Sequence, residues 1–233
     1  MKTALGILGG LGPISSAEFV KTIYELNIDD SEQAAPACFL YSDPSFPKRS
    51  ETIAAGQEDI FIDRLVLALT QLVASGSTKI VMCCMTIHHF LPLVPVELRE
   101  KVISLVDIIA DEILKQPQKY LLLSSFGTYD TKIFPNHHRW SEIAPHIVFL
   151  DEGDRHIVHN CFEVIKINGG VESTIDFIYR AREKYGVSAI VGACSELHVA
   201  HKYLLQQGDP RFDFPFVDPL MTIATNLPQL LDT

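Results

Sequence analysis

Short apolar runs, each followed by a longer stretch with helical periodicity, recur along the whole chain, and this alternation constrains the fold more than any other feature. The runs are Ala4–Leu8, Ala37–Tyr41, Lys79–Met82, Tyr120–Leu123 and Ala189–Val191, with a weaker one at Phe214–Val217. Strands buried on both faces read as continuous apolar runs, and strands alternating with helices read as βαβ units, so mostly parallel sheets flanked by helices are expected. Between the runs the helices have start and stop signals. Ser15 or Ser16 is placed to cap a helix reaching about Leu26, with Glu18 in its first turn. Asp59 to Ala74 sets Ile60, Ile62, Leu65, Leu67, Leu69 and Leu72 largely on one side, and Asn168-Gly169-Gly170 ends a helix that starts near Asp151.

The two halves of the chain also resemble one another. Each opens with a strand that runs into a glycine-containing loop, Gly6-Ile-Leu-Gly-Gly-Leu-Gly-Pro13 in one and Leu121-Leu-Leu-Ser-Ser-Phe-Gly-Thr128 in the other. About seventy residues later each has a strand that runs into a cysteine with a histidine four positions on, giving the pairs Cys84/His88 and Cys194/His198. The reading is an α/β protein of two similar domains, residues 1–102 and 103–213, with the final helical segment 214–233 packing back on the first. Ligands of open parallel sheets bind outside the carboxyl ends of the strands, so the active site is expected in a cleft between the two domains.

Charge and cysteine content narrow the chemistry. A formal net charge of −10 without a basic patch argues against nucleic acid, and an anionic substrate would need Arg or Lys placed at the site itself. No apolar run approaches the roughly 20 residues that span a bilayer, so Ala4 to Leu11 reads as a buried strand and the protein as cytoplasmic, with no membrane partner. Five cysteines without a CxxC pair fit reduced thiols. Cys38, Cys83 and Cys161 read as small buried hydrophobes.

The loop Gly10-Leu11-Gly12 lacks the third glycine of a dinucleotide fingerprint, and no acidic residue ends the second strand. A tight turn that brings backbone N–H groups to a small anion is the better reading. Cys84 and Cys194 each sit where a strand gives way to a loop and a helix N-terminus, whose partial positive charge favours the thiolate. Either cysteine alone could be a buried thiol beside a helix cap. Their recurrence at matching points of both halves suits racemisation, which needs one base to take a proton and one acid to return it from the other side. Thr86, Ser125, Thr128 and Ser195 lie in loops from which hydroxyls could hold a substrate carboxylate, or simply cap helices. His88-His89, His137-His138 and the His198/His201 pair lack a third ligand at recognisable spacing, so they read as surface or capping histidines and no metal is expected. Glu196 reads as a supporting residue that orients a neighbour or complements a helix N-terminus.

Taken in order, Gly6 to Pro13, Tyr41-Ser-Asp-Pro-Ser-Phe-Pro-Lys-Arg-Ser50, Cys84-Met-Thr-Ile-His88, Leu122 to Thr128, Ile165-Lys166 and Cys194-Ser-Glu-Leu197 resemble the motifs of the aspartate/glutamate racemase family, nearest its aspartate racemase branch. The resemblance spans nearly the whole chain. It implies that Cys84 and Cys194 are the two catalytic acid/bases and that Arg49 and Lys166 bind the substrate's side-chain carboxylate. It also implies that neither pyridoxal phosphate nor a metal is used, that the substrate is a small acidic amino acid, and that the chain forms a homodimer, with Phe90 to Val96 offering either a contact surface or internal packing. Where the family reads Asn after the first cysteine, this chain has Met85, and a thioether cannot replace an amide donor. Ala193, Ser195 and Asp43 are milder departures. Alternatives to a racemase are a related isomerase or decarboxylase on the same scaffold, acyl transfer by a Cys–His pair, and an amino-acid-binding protein in which Met85 has removed turnover.

Overall fold

The apolar runs are the strands of two all-parallel sheets, one in each of two units of the chain. The computed structural model describes residues 3–231. One unit runs to Leu105 and resumes at Leu220; the other is Val106–Pro219.

The first unit contains β1 (Ala4–Gly9), α1 (Pro13–Asn27), β2 (Ala37–Ser42), α2 (Arg49–Ala54), α3 (Glu58–Ala74), β3 (Ser77–Met82), a 3₁₀ segment at Thr86–Leu93 and α4 (Val96–Arg99). Its sheet order is β2-β1-β3. Helix α5 (Leu105–Lys115) leads into the second unit, which holds β4 (Tyr120–Ser124), α6 (Phe126–Asp130), α7 (Trp140–Ile143), β5 (Ile147–Phe149), α8 (Glu152–Asn168), α9 (Glu172–Tyr185), β6 (Ala189–Ala193), α10 (Glu196–Gln207) and β7 (Phe216–Val217). Its sheet order is β5-β4-β6-β7. The chain then returns through α11 (Pro219–Thr225) and α12 (Leu227–Leu231). Asn27 at the end of α1 donates through Nδ2 to the Ala224 carbonyl of α11 at 2.8 Å.

Strands β1, β4 and β6 are buried at every residue, as their unbroken apolar sequences require. The first core gathers Leu8 and Leu11 with Phe61, Leu65 and Leu69 of α3, Ile87 and Phe90 of the 3₁₀ segment and Val94 just after it. Phe61 and Phe90 stack at 4.5 Å between ring centroids. Phe90 and Val94 thus pack internally, while Leu93 and Val96 remain exposed. In the second unit Leu121, Leu123 and Ile190 meet Val158 and Phe162 of α8 and Phe177 and Ile178 of α9.

Three local expectations are corrected. Helix α1 starts earlier than a serine cap would place it, with Gly12 as N-cap and Pro13 in the first turn, where its fixed φ suits the helix and its missing N–H is not needed. Ser15 and Ser16 are therefore inside the helix and buried. The buried stripe of α3 is Phe61, Leu65, Ala68, Leu69 and Leu72, which leaves Ile60 and Leu67 exposed. The weak run Phe214–Val217 contributes only Phe216–Val217 as β7, whereas β5 carried no sequence signal because it is three residues long. Among the described residues no helix is long and apolar enough to cross a membrane.

Candidate active site

Parallel strands deliver their following loops to one edge of the sheet, so in each unit the two candidate cysteines and most of their candidate partners follow carboxyl ends of adjacent strands, Lys166 at the end of α8 being the exception. In the first unit the loop after β1 is shaped by Gly10, whose φ of 85° is open to glycine at little cost. A Cβ there would lie 2.3 Å from the Asp43 backbone nitrogen, so the loop packs directly on the chain leaving β2. The Gly10 N–H is directed at Ser16 Oγ at 3.3 Å, and the Gly12 carbonyl accepts from the Ser16 N–H and Oγ–H. The expectation of an anion cradle is corrected at Gly10: its donor is engaged inside the protein, and its role is close backbone approach.

Arg49 opens α2 and reaches back to this loop, donating from Nη2 to the Leu11 carbonyl at 2.9 Å. No carboxylate among the described residues lies within ion-pair distance of it. Neighbouring cations are already engaged: Lys48 pairs with Glu51, and Arg64 with Asp43 at 2.7 Å. The Ser45 hydroxyl and N–H, reinforced by Arg64, hold the Asp43 carboxyl below the usual range.

Cys84 follows β3, which lies beside β1. Its neighbour Cys83 donates its backbone N–H to the Leu8 carbonyl. Met85 and Thr86 are buried and lead into the 3₁₀ segment. His88 is buried too, so of its two expected settings, surface or capping, the surface one does not hold. Its Nε2 accepts from the Leu105 N–H at 3.2 Å, leaving the ring proton on Nδ1, which faces the Cys84 carbonyl at 3.2 Å. His88 therefore braces the backbone of Cys84 through its carbonyl.

In the second unit Ser125 caps α6, its Oγ accepting from the Thr128 N–H at 3.4 Å and lying 3.3 Å from Thr128 Oγ1. Cys194 follows β6, adjacent to β4, and its Sγ–H donates to Glu196 Oε2 at 2.8 Å. Ser195 Oγ donates to the same oxygen at 3.3 Å. Glu196 is buried at the start of α10, and its Oε1 makes no hydrogen bond. Lys166 projects from the last turn of α8 and pairs with Glu163 at 2.6 Å. Burial opposes its charge, but the nearby Cys194, Glu196 and Glu163 outweigh burial and hold the Lys166 ammonium above the usual lysine value. Lys166, Cys194 and Glu196 thus share one electrostatic neighbourhood.

His198 and His201 are likewise buried, so the surface half of the surface-or-capping expectation does not hold for them either. Both direct Nδ1 at Asp218 Oδ2, at 2.7 and 3.1 Å, and the His201 ring stacks on Phe216 of β7 at 4.5 Å. Burial pushes the Asp218 carboxyl up, but the two imidazoles overcome it and leave it well below the usual carboxylate range. This cluster ties the end of β7 to α10 and thereby fixes the helix that carries Glu196. Glu163, Asp218 and the bracing role of His88 were missed in the sequence. The three-residue spacing of Glu163 and Lys166 on a helix was the available signal for the first.

Asp107, His137 and His138 bring one donor atom each within 4.8 Å of one another. His137 Nδ1 accepts from the Arg139 N–H at 3.4 Å, so its proton lies on Nε2, which faces Asp107 Oδ1 at 3.2 Å. That arrangement is a hydrogen bond to a carboxylate and uses the nitrogen a metal would need. Cys83 and Cys161 are buried as expected, whereas Cys38 on edge strand β2 is half-buried beside Tyr24.

The family model described as Asp/Glu/Hydantoin racemase matches residues 8–227. Among solved structures, the Picrophilus torridus aspartate racemase superposes with a TM-score of 0.77 at 21% identity, covering 99% of this chain and 100% of that one. An aspartate racemase homologue from Pyrococcus horikoshii OT3 gives 0.72 at 20% identity with full coverage of both chains. The allantoin racemase from Klebsiella pneumoniae gives 0.63 at 13% identity, covering 99% of this chain and 88% of that one. At these identities the likeness is one of fold.

Proposed function

From the premise that the chain belongs to the Asp/Glu/Hydantoin racemase family, we propose that it is a cofactor-independent racemase of a small acidic amino acid, aspartate before glutamate. The observation that carries this reading is topological. Cys84 follows β3 in the order β2-β1-β3, and Cys194 follows β6 in the order β5-β4-β6-β7, so each thiol leaves the strand next to the first strand of its unit, at equivalent positions of two similar sheets. Two equivalent thiols suit a reaction that must work from either face of one carbon.

In the proposed mechanism either thiolate removes the α-proton, according to which enantiomer is bound, and the opposite thiol returns a proton to the planar carbanion. The two thiols are not identically supported. Glu196 Oε2 accepts from Cys194 Sγ–H, so a carboxylate is in place to take up that proton when the thiolate is needed. Cys84 has its backbone braced by His88 instead. An amino-acid α-proton is far less acidic than a thiol, so charge developing on the substrate carboxylate must be met by fixed dipoles. Thr86, Ser125, Thr128 and Ser195 supply the hydroxyls in this reading. Arg49 and Lys166 take the side-chain carboxylate in this reading, the Arg49 guanidinium tethered by the Leu11 carbonyl and without a protein counter-ion among the described residues. Met85 supplies an apolar wall where the family has an amide. The working form is a cytoplasmic homodimer, for which sedimentation at several concentrations is the test.

The direct assay incubates L-aspartate with the protein in deuterated water without added cofactor, following α-proton exchange and loss of optical activity together. Exchange with racemisation supports the reading; calorimetric binding of aspartate with neither process favours the amino-acid-binding alternative that Met85 suggests. For Arg49→Ala a KM for aspartate raised roughly ten- to hundredfold with little change in kcat is expected, the loss of a charge-assisted contact made equally in ground and transition states. Equal activity of the unmodified protein on alanine would contradict this role.

A further inference from the structure

The ammonium of Lys166 is already paired, and its partner is the more exposed of the two. Glu163 precedes Lys166 by three residues on α8, and its Oε1 lies 2.6 Å from Nζ. The lysine side chain is 23% exposed and the glutamate 46%, so the carboxylate is the more solvent-facing member of the pair. One turn earlier on the same helix, His159 Nε2 lies 4.0 Å from Glu163 Oε1. The Nδ1 of His159 is buried without a hydrogen-bond partner, an environment that suits the bare lone pair better than an N–H, so the ring proton belongs on Nε2, facing Glu163. The ring is held by Phe126, whose centroid is 4.5 Å away. A carboxylate leaving Lys166 therefore has a donor waiting about an ångström beyond hydrogen-bond range.

The local charge has a consequence for substrate choice. Around Cys194 this unit sets one ammonium, Lys166, against two carboxylates, Glu163 and Glu196. With Glu163 in place, that neighbourhood offers an incoming anion no net attraction. We propose that Glu163 is a specificity-determining residue: a resident carboxylate that occupies Lys166 until the side-chain carboxylate of a substrate replaces it, moving Glu163 toward His159. This rests on the reading of Lys166 as a substrate-binding residue. A dicarboxylic amino acid can make the exchange, one carboxylate for another. An uncharged side chain cannot, and leaves the Lys166–Glu163 pair closed.

The test compares the unmodified protein with Glu163→Gln, Glu163→Asp, Lys166→Met and the double variant Glu163→Gln/Lys166→Met. Calorimetry with succinate, a dicarboxylate that cannot racemise, reads the exchange without needing turnover. Glu163→Gln is expected to bind succinate about tenfold more tightly, a change of one charged partner, with Glu163→Asp intermediate and no gain when Lys166 is also replaced. With aspartate and asparagine as substrates, the same variant should lower KM for aspartate, hold kcat within a few-fold and leave asparagine unchanged. Equal or weaker succinate binding by Glu163→Gln, or an equal gain in the Lys166→Met background, overturns the proposal. A tighter-binding variant in a protein that never racemises aspartate would retain the Glu163 role and reject the racemase reading. Racemisation with no change in succinate affinity would do the reverse.

Discussion

Cys84→Ser and Cys194→Ser are each expected to abolish racemisation of aspartate while leaving part of the isotope exchange for one enantiomer. A serine hydroxyl is several pKa units weaker as an acid than a thiol, so at neutral pH it neither supplies the anion that takes the α-proton nor returns a proton readily. The expected loss is at least the roughly 10²–10⁴-fold that a positioned acid or base contributes. The two variants should fail on opposite enantiomers: the thiol that remains can still remove and restore the proton on its own side, and only the crossing is lost. Proton NMR in deuterated water, run separately from L- and D-aspartate, reads this directly. Unchanged racemisation in either variant, or exchange lost for both enantiomers from one substitution with the fold intact, would end the two-thiol mechanism. Because Glu196 Oε2 accepts from Cys194 Sγ–H, Glu196→Gln is expected to impair the Cys194-dependent half-reaction more than the other.

The second large effect is on stability. Asp218→Asn is expected to destabilise the protein by about 3–5 kcal/mol, the range for removing one partner of a buried charged cluster, and to lower the melting temperature by on the order of 10 °C. The carboxylate is buried and accepts from both His198 and His201, and an amide cannot offer either imidazole the same charge-assisted bond. The direction with pH follows from the folded carboxyl lying below its unfolded value. The stability it contributes is fully present above the unfolded carboxylate pKa of about 4 and is lost as pH falls below that toward the folded value. Denaturant unfolding at pH 7 should therefore show the full gap between the two proteins, and the gap should narrow below about pH 4. A constant gap across that range, or none at pH 7, would contradict the ionised cluster.

Much of this arrangement was legible in the sequence, and the reasons differ by element. Strands β1, β4 and β6 are buried on both faces, and such strands must be apolar throughout, so their runs stood out. Strand β5 did not, having three residues in which to show a pattern. Its counterpart in the internal repeat is β2, so laying the two halves over each other would have asked for a strand there. Cys84 and Cys194 were visible because each closely follows an apolar strand. The burial of His198 and His201 was not: it depends on Asp218, which reaches them only because β7 pairs with β6 far along the chain. A histidine on a helix gives no sign in sequence of a carboxylate arriving 17 or 20 residues later. Arg49 and Lys166 were visible only through the resemblance to a known family, since an isolated cation reads as a surface residue until its partners are known.

The first unit leaves at Leu105 and resumes at Leu220, and this carries a consequence for how the protein is made. Helix α11, which accepts a hydrogen bond from Asn27, emerges from the ribosome only after all of β4 to β7 has been synthesised. The earliest part of the chain must wait for its last contacts, across a closure whose entropic cost grows with the logarithm of the intervening length. Such distant contacts raise the relative contact order and slow folding. The second unit, uninterrupted in sequence, is therefore expected to acquire protection from hydrogen exchange before the unit that begins the chain.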